Sequence, residues 1–154
     1  MKILFVCLGN ICRSPMAEFI LKDLIAKSGL KGHYSVSSAA TSDEVIGDPV
    51  YPPAAETLSA HGLDCSGKTA VQFQRKDYGE YDLIVAMERS NVRQLIKTVG
   101  SDPYEKIRLL LSFAGDPGDI ADPWYTRDFE KAYREIYKGC EGIIRLLKKR
   151  EKGK

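Results

Sequence analysis

Residues 3–15, ILFVCLGNICRSP, pass from a short apolar run through a turn into the start of an amphipathic segment. The run Ile3-Leu4-Phe5-Val6 shows no alternation of polar and apolar side chains, which is typical of a strand buried on both faces of a parallel sheet. Ser14 suits the N-cap position of a helix, and Pro15 suits its first position. The stretch therefore predicts a strand, a turn and a helix in succession.

Strands and helices alternate along the rest of the chain. The sequence predicts further strands at 34–39, 83–87 and 106–111, helices at 54–61, from 90 to about 98 and from about 127 to 149, and loops at 41–53 and 112–125. A helix is also predicted to begin at Lys68-Thr69. This order predicts an α/β fold of three layers, with a central, mostly parallel four-stranded sheet flanked by helices. At 154 residues, the chain is expected to form a single domain, residues 1–154.

Composition and charge exclude several functional classes. Hydrophobic residues make up 44% and charged residues 29%, as in ordinary globular proteins, and a net charge of +2 argues against a nucleic-acid partner. The apolar run near the N-terminus is too short for a signal sequence or a membrane span. We therefore expect a monomeric cytoplasmic protein with no membrane partner, in which the four cysteines (7, 12, 65 and 140) are free thiols.

The turn after the first strand has the residues of a phosphate site with a cysteine nucleophile. Ligands of such folds lie at the carboxyl ends of strands, where Cys7 is found. Backbone N–H groups of the turn and of the helix N-terminus form an anion cradle, over which the Arg13 fork grips two phosphate oxygens. The helix terminus and Arg13 favour a thiolate at Cys7, to which Ser14 is in position to donate its hydroxyl. Gly9 is expected to supply backbone freedom where a side chain would collide.

The sequence of residues 7–18, CLGNICRSPMAE, resembles the opening signature of the low-molecular-weight protein tyrosine phosphatases. The resemblance continues through SAAT at 38–41, MERSN at 87–91 and DPW at 122–124. It implies a hydrolase that removes phosphate from tyrosine-phosphorylated proteins through a phosphocysteine intermediate, without a metal or other cofactor. The implied residues that bind phosphate or support its loop are Leu8, Gly9, Asn10, Ile11, Cys12 and Ser14. In the family, Asn10 would brace the loop and Cys12 would lie near the nucleophile. We expect oxidation to join Cys7 and Cys12 in a reversible disulfide.

The general acid is expected among three aspartates of one loop, Asp116, Asp119 and Asp122. Spacing alone leaves the choice between them open. Trp124 and Tyr125 follow Asp122 and would wall a pocket for an aryl ring while partly desolvating the carboxyl. The resemblance implies that Asp122 is the acid, because the family has an Asp-Pro-aromatic motif at this point.

The predicted substrate wall departs from the family's pattern. An aromatic residue is common in the family where this chain has Asp43-Glu44-Val45. We assign Glu44, Trp124 and Tyr125 to the wall and expect the charge of Glu44 to repel acidic peptides.

Three other functions compete with phosphotyrosine hydrolysis. A phosphoarginine phosphatase of this fold would have a threonine where Ile11 stands, and an apolar side chain suits a phenyl ring better than a guanidinium. An arsenate reductase would need further cysteines to relay a disulfide, and residues 66–139 contain none. A non-catalytic phosphate-binding module would not need Cys7, Arg13 and Asp122 together.

A second phosphate-binding pattern is a chance match. Residues 62–69, GLDCSGKT, satisfy the Walker A pattern, but the segment before them is predicted to be a helix, whereas a Walker loop follows a buried strand. In the family a histidine often stands near Gly67-Lys68. His61, at the end of the predicted helix, is interpreted as a packing residue.

Overall fold

The fold is built on a sheet of four parallel strands. The computed structural model describes residues 1–153, in which the strands are β1 (Lys2–Cys7), β2 (Ser35–Ala40), β3 (Leu83–Ala86) and β4 (Ile107–Leu109). Their order across the sheet is β2-β1-β3-β4, and each neighbouring pair is parallel. The predicted four-stranded parallel sheet is therefore confirmed.

Helices connect the strands and cover the sheet. They are α1 (Arg13–Lys27), α2 (Pro52–Ala60), α3 (Asp77–Glu80), α4 (Arg89–Val99), a 3₁₀ helix (Leu110–Ala114), α5 (Pro123–Thr126) and α6 (Phe129–Lys152). Within residues 1–153, none of the helices is long and apolar enough to cross a membrane.

The two faces of β1 belong to two separate cores, as expected for a central strand. Ile3 and Phe5 pack in a large cluster that includes buried residues of α1 and α6. Leu4 and Val6, which point to the opposite face, pack in a smaller cluster with Leu95 of α4. Because successive side chains of a strand alternate between faces, helices on both sides are required to bury them. The sheet is thus the middle of three layers.

Several predicted helix and strand boundaries differ from the structure, and three of these differences have a clear physical cause. The first helix begins at Arg13, after Cys12 as the N-cap residue, and Ser14 does not cap it. The hydroxyl of Ser14 instead contacts the sulfur of Cys7. The last strand is shorter than predicted because the chain turns into the 3₁₀ helix at Leu110. The last helix begins at Phe129, because Arg127 has a positive φ of 63° and the Asp128 side chain accepts from the N–H of Lys131.

The prediction of a helix that begins at Lys68-Thr69 is wrong. Thr69 instead forms an antiparallel bridge with Pro49, and the N–H of Ala70 donates to the carbonyl of Asp48. Pairing with the loop at 47–49 satisfies these backbone groups without a helix, and β-branched Thr69 is well suited to an extended conformation. The Walker A pattern at 62–69 does follow a helix, α2, as expected. His61 is a packing residue, as predicted: its ring stacks on Tyr133 with centroids 3.7 Å apart.

Helix α6 approaches the 3₁₀ helix so closely that glycine is needed at the contact. A Cβ atom at Gly142 would lie 2.2 Å from the carbonyl oxygen of Phe113, and one at Gly139 would lie 2.5 Å from Leu110 Cγ. Backbone cannot yield as a flexible side chain can, so the Gly142 contact fixes how near α6 lies to the 3₁₀ helix.

Substitution of Gly142 by alanine is expected to destabilise the protein by about 3 kcal/mol, because overpacking against backbone outweighs the gain in helix propensity. The midpoint of thermal unfolding should fall by roughly 10 °C. Gly153→Ala is the matched control, since its Cβ would meet nothing closer than 3.6 Å, and it should change stability by less than about 0.5 kcal/mol. Equal midpoints for the two variants would contradict this account of the α6 contact.

Candidate active site

A pocket lies at the edge of the sheet where β1 and β2 end. Cys7 is in register with Ala40, so the segments that follow β1 and β2 emerge side by side, and the segment that leads into α5 completes the pocket. The residues that line the pocket are Cys7, Leu8, Gly9, Ile11, Cys12, Arg13, Ser42, Glu44, Val45, Asp122, Trp124 and Tyr125. The structure therefore gathers residues from three distant parts of the sequence into one site.

The sulfur of Cys7 is surrounded by hydrogen-bond donors. The backbone N–H groups of Asn10 and Ser14 point at Sγ from 3.3 and 3.4 Å. The hydroxyl of Ser14 lies 3.0 Å from the same atom. These contacts hold the sulfur between the turn and the first residues of α1.

Asn10 holds the turn in shape. Its φ of 58° lies in the left-handed region, which asparagine tolerates better than most residues. Its Nδ2 donates to Ser14 Oγ at 2.7 Å and to Ser38 Oγ at 2.9 Å, while its Oδ1 accepts from the N–H of Val71 at 3.1 Å. These contacts agree with the bracing role that the family resemblance implied.

The backbone freedom expected of Gly9 is not used, because the left-handed residue of the turn is the neighbouring Asn10. Space does restrict this position: a Cβ at Gly9 would lie 3.3 Å from Val45 Cγ2. The glycine thus matters here for close approach of the loop that carries Val45.

Arg13 is 2% exposed and is held by acidic and carbonyl groups. Its Nη1 donates to Glu88 and to the carbonyl of Ile120, the latter at 2.8 Å, and its Nη2 lies 3.3 Å from Asp122 Oδ2. Burial by itself would lower the pKa of Arg13, but the negative charges of Cys7, Asp122 and Glu88 outweigh burial and raise that pKa. The guanidinium is therefore a permanent cation at the base of the pocket.

Glu88 is a site residue that sequence analysis did not assign. Its carboxylate pairs with Arg13 and accepts from Ser90 Oγ at 2.5 Å. Burial tends to raise the pKa of Glu88, but the hydrogen bonds from Ser90 and Arg13 lower it overall. The available signal was its place directly after a buried strand, since β3 is the neighbour of β1.

The structure separates the three aspartates that spacing left equivalent. Asp116 accepts from the N–H of Gly118 at 2.8 Å, and Asp119 accepts from the N–H of Arg89 at 3.1 Å. Asp122 lines the pocket and faces Arg13. Its other oxygen accepts from the N–H of Trp124, which fixes the carboxyl at the start of α5. Only Asp122 is thus placed to reach a bound substrate.

Apolar side chains form the walls of the pocket. One of them, Trp124, packs against Tyr51, a contact that the sequence analysis did not predict. The Trp124 ring packs against Tyr51 with centroids 4.6 Å apart, and Arg127 donates to the Tyr51 hydroxyl at 3.1 Å. The N–H of Tyr51 donates to the carbonyl of Ile11, so Tyr51 ties the aromatic wall to the turn. Tyr125 is 75% exposed and stands at the rim, as does the exposed Glu44.

Cys12 differs from Cys7 in its surroundings. Burial, together with the negative charges of Cys7 and Asp122, raises the pKa of Cys12 to about 12, although Arg13 and Arg127 act in the opposite direction. Cys12 is therefore a neutral thiol near pH 7. Both cysteines are free, and the disulfide between them stays a prediction.

Comparison with known proteins places the chain in a family. Residues 2–153 match the family model described as low molecular weight phosphotyrosine protein phosphatase. The chain belongs to this family. The low molecular weight protein-tyrosine-phosphatase YfkJ of Bacillus subtilis is 39% identical over 149 residues, which cover 96% of each chain.

Solved structures of the family have the same fold. The crystal structure of YfkJ from Bacillus subtilis superimposes with a TM-score of 0.92 at 38% identity, covering 97% of this chain and 96% of that one. The crystal structure of DARP, a Drosophila arginine phosphatase, superimposes with a TM-score of 0.86 at 33% identity, covering 96% of this chain and 98% of that one. The family resemblance and the three-layer fold predicted from sequence are both confirmed.

Proposed function

We propose that this protein is a cysteine-dependent protein tyrosine phosphatase that acts through a phosphocysteine intermediate. The observation that carries the proposal is the sulfur of Cys7, which accepts from two backbone N–H groups and contacts the Ser14 hydroxyl in the same pocket as the buried cation of Arg13 and the carboxyl of Asp122. Membership of the phosphotyrosine phosphatase family supports the same reaction.

In the first step the Cys7 thiolate attacks phosphorus, and the bond between phosphorus and the phenolic oxygen breaks. Asp122 gives its proton to that oxygen, so that tyrosine leaves as a neutral phenol. In the second step Asp122 takes a proton from water, which attacks phosphorus and releases phosphate and the thiolate. Backbone N–H groups of residues 8–13 and the fork of Arg13 hold the phosphoryl oxygens through both steps.

Arg13 also connects phosphate binding to the position of Asp122. In the free protein Nη2 of Arg13 lies 3.3 Å from Asp122 Oδ2. A bound phosphate dianion takes over this donor, which leaves the Asp122 carboxyl free to face the phenolic oxygen of the substrate.

Phosphate release from a phosphotyrosine peptide at mildly acidic pH, with a chelator present, tests the proposal. A phosphoarginine peptide of the same sequence and an arsenate reduction assay serve as parallel measurements. We expect the kcat/KM to be higher for the phosphotyrosine peptide than for the phosphoarginine peptide. A preference for the phosphoarginine peptide would reject phosphotyrosine as the substrate. If the reduced protein turned over neither peptide, the proposal that it is a phosphatase would be rejected.

Phosphoarginine hydrolysis is the second candidate, because DARP has the same fold and is 33% identical. The side chain of Ile11 lines the pocket of this chain. An apolar group favours the aryl ring of tyrosine, since a guanidinium next to it would lose hydration without gaining a hydrogen bond.

We further propose that the protein acts as a monomeric, cytoplasmic single domain that needs no metal or other cofactor. No cofactor is needed in this mechanism because Cys7 supplies the nucleophile, Arg13 supplies the anion site and Asp122 supplies the proton.

Glu44 is proposed to select against acidic substrates. It is exposed at the rim of the pocket, where the residues flanking a phosphotyrosine would pass. Substitution of Glu44 by glutamine is expected to raise kcat/KM for a phosphopeptide with flanking glutamates about threefold at low salt, the size of a single exposed charge interaction. The gain should shrink at high salt because of screening.

Asp48→Asn is the matched control, since Asp48 is an exposed acid of the same loop that does not line the pocket. It should change the same kcat/KM by less than twofold. A peptide with flanking arginines should show the opposite response to Glu44→Gln, a decrease. If both peptides responded alike, charge at Glu44 would not be the cause.

A further inference from the structure

The one-turn helix α5 has Asp122 at its start and Arg127 at its end, and both residues contact other parts of the fold. Of the four residues of the helix, Pro123 alone is buried, so packing holds α5 only weakly. At the start, Asp122 lies 3.3 Å from Nη2 of Arg13. At the end, Nη1 of Arg127 donates to the Tyr51 hydroxyl at 3.1 Å. The helix that carries the proton donor is therefore attached by a polar contact at each end.

Arg127 has a backbone conformation that arginine rarely adopts. Its φ of 63° and ψ of 9° lie in the left-handed region, which glycine and asparagine favour. The N–H of Arg127 donates to the Pro123 carbonyl at 2.9 Å, and this bond closes α5 before the chain turns into α6. Strain of this kind persists where the surrounding contacts compensate for it, and such sites are often functional.

The side chain of Arg127 makes contacts that can compensate for the strain. Its guanidinium lies 5.4 Å from the ring centroid of Tyr51 and 5.5 Å from that of Phe129. Tyr51 packs against Trp124 on the pocket wall, and its N–H donates to the Ile11 carbonyl at 2.8 Å. Tyr51 thus connects the end of α5 to the phosphate-binding turn.

Phosphate binding releases one of the two attachments. A bound phosphate takes over the donor of Arg13 that holds Asp122 in the free protein. The contact between Arg127 and Tyr51 does not involve Arg13, and Arg127 does not line the pocket, so this attachment is kept when substrate is bound. We propose that Arg127 is a positioning residue that, through Tyr51, keeps α5 and its Asp122 at the pocket once the substrate occupies Arg13.

The first test compares kcat/KM of the wild type and of Arg127→Gly for two substrates. Glycine adopts a positive φ freely, so this substitution removes the side chain without straining the turn. With a phosphotyrosine peptide that has no charged flanking residues, kcat/KM should fall about tenfold, the size of one hydrogen bond to a charged group. With an aryl phosphate whose leaving group needs no proton, kcat/KM should stay within about twofold, since Asp122 is not required for that step.

The second test uses Trp124, which is the only tryptophan of the chain, so its fluorescence reports on the aromatic wall. Without phosphate, acrylamide should quench the wild type and Arg127→Gly equally, because Arg13 still holds Asp122. With saturating inorganic phosphate, quenching should increase in Arg127→Gly and not in the wild type. The increase should reach at most about twofold, since the residue is already 45% exposed.

Two further variants separate this account from a general structural effect. Tyr51→Phe removes the hydroxyl but keeps the ring, so kcat/KM for the phosphotyrosine peptide should fall even if Arg127→Gly does not fold. The double variant should be no slower than Arg127→Gly, because both changes remove the same hydrogen bond. Glu105→Gly is the matched control, since Glu105 has a φ of 52° and is exposed outside the pocket. It should leave kcat/KM and quenching unchanged.

An equal loss of kcat/KM on the two substrates would overturn the proposal, and so would losses that multiply in the double variant. The proposal rests on the proposed function in taking Asp122 as the proton donor. Quenching does not require turnover, so the two can fail separately. A wild type without phosphatase activity would reject the function, whereas equal quenching of the two phosphate-bound proteins would reject the role of Arg127.

Discussion

Replacement of Cys7 by serine is expected to reduce turnover of a phosphotyrosine peptide by about 10⁴–10⁶-fold. A serine hydroxyl in this pocket stays protonated near neutral pH, and no base stands beside it, since the neighbouring groups are N–H donors and the Ser14 hydroxyl. Cys12 cannot take over as the nucleophile, because burial raises the pKa of Cys12 to about 12. Phosphate release measured with reduced protein checks the prediction.

Cys65→Ser is the matched control, because Cys65 is also buried but lies outside the pocket. It should retain activity within about twofold. The Cys7→Ser protein should still bind inorganic phosphate, since the turn and Arg13 remain, and this binding shows that the site is intact. Activity above about 1% of wild type in Cys7→Ser would rule out Cys7 as the nucleophile.

Asp122→Asn is expected to lower kcat for the phosphotyrosine peptide by about 10²–10⁴-fold, because asparagine can neither protonate the phenolic oxygen nor take a proton from water. The two steps can be told apart with an aryl phosphate whose leaving group needs no proton. With that substrate the variant should give a rapid burst of one phenolate per protein, followed by slow turnover as phosphocysteine accumulates. With tyrosine phosphate no burst is expected.

Asp119→Asn is the control for Asp122, since it changes an aspartate of the same loop that binds the N–H of Arg89 and does not line the pocket. Its kcat should stay within about threefold of wild type. If Asp119→Asn caused the larger loss, the assignment of the acid from the position of Asp122 beside Arg13 would be wrong. If Asp122→Asn lost activity equally on both substrates without a burst, its role would lie in holding Arg13.

Local features of the site could be predicted because they depend on neighbours in sequence. A buried strand followed by a turn and a helix brings Cys7, Arg13 and Ser14 together, whatever the rest of the chain does. The spacing therefore indicated an anion site with a thiol at its base. The same locality explains one error: Ser14 was predicted to be a helix cap, but it lies inside α1, and its hydroxyl contacts the sulfur of Cys7.

Contacts between distant segments needed the tertiary structure. Arg13 and Glu88 are 75 positions apart and meet only because β3 lies next to β1 in the sheet. Of the three aspartates in one loop, Asp122 is the one that lies beside Arg13 in the folded chain. Spacing could not make that choice, since all three aspartates lie in the same loop.

The sequence by itself thus determined the layered α/β architecture and the turn that brings Cys7, Arg13 and Ser14 together, since hydrophobic period and turn spacing are local properties. The tertiary structure alone decided which acid faces the pocket, which carboxylate holds Arg13 and which cation, Lys68, reaches the buried Glu18. The physical reason is that burial and pairing of charges depend on the order of strands in the sheet and on the path of the loops. Neither can be predicted from the hydrophobic periodicity of the sequence.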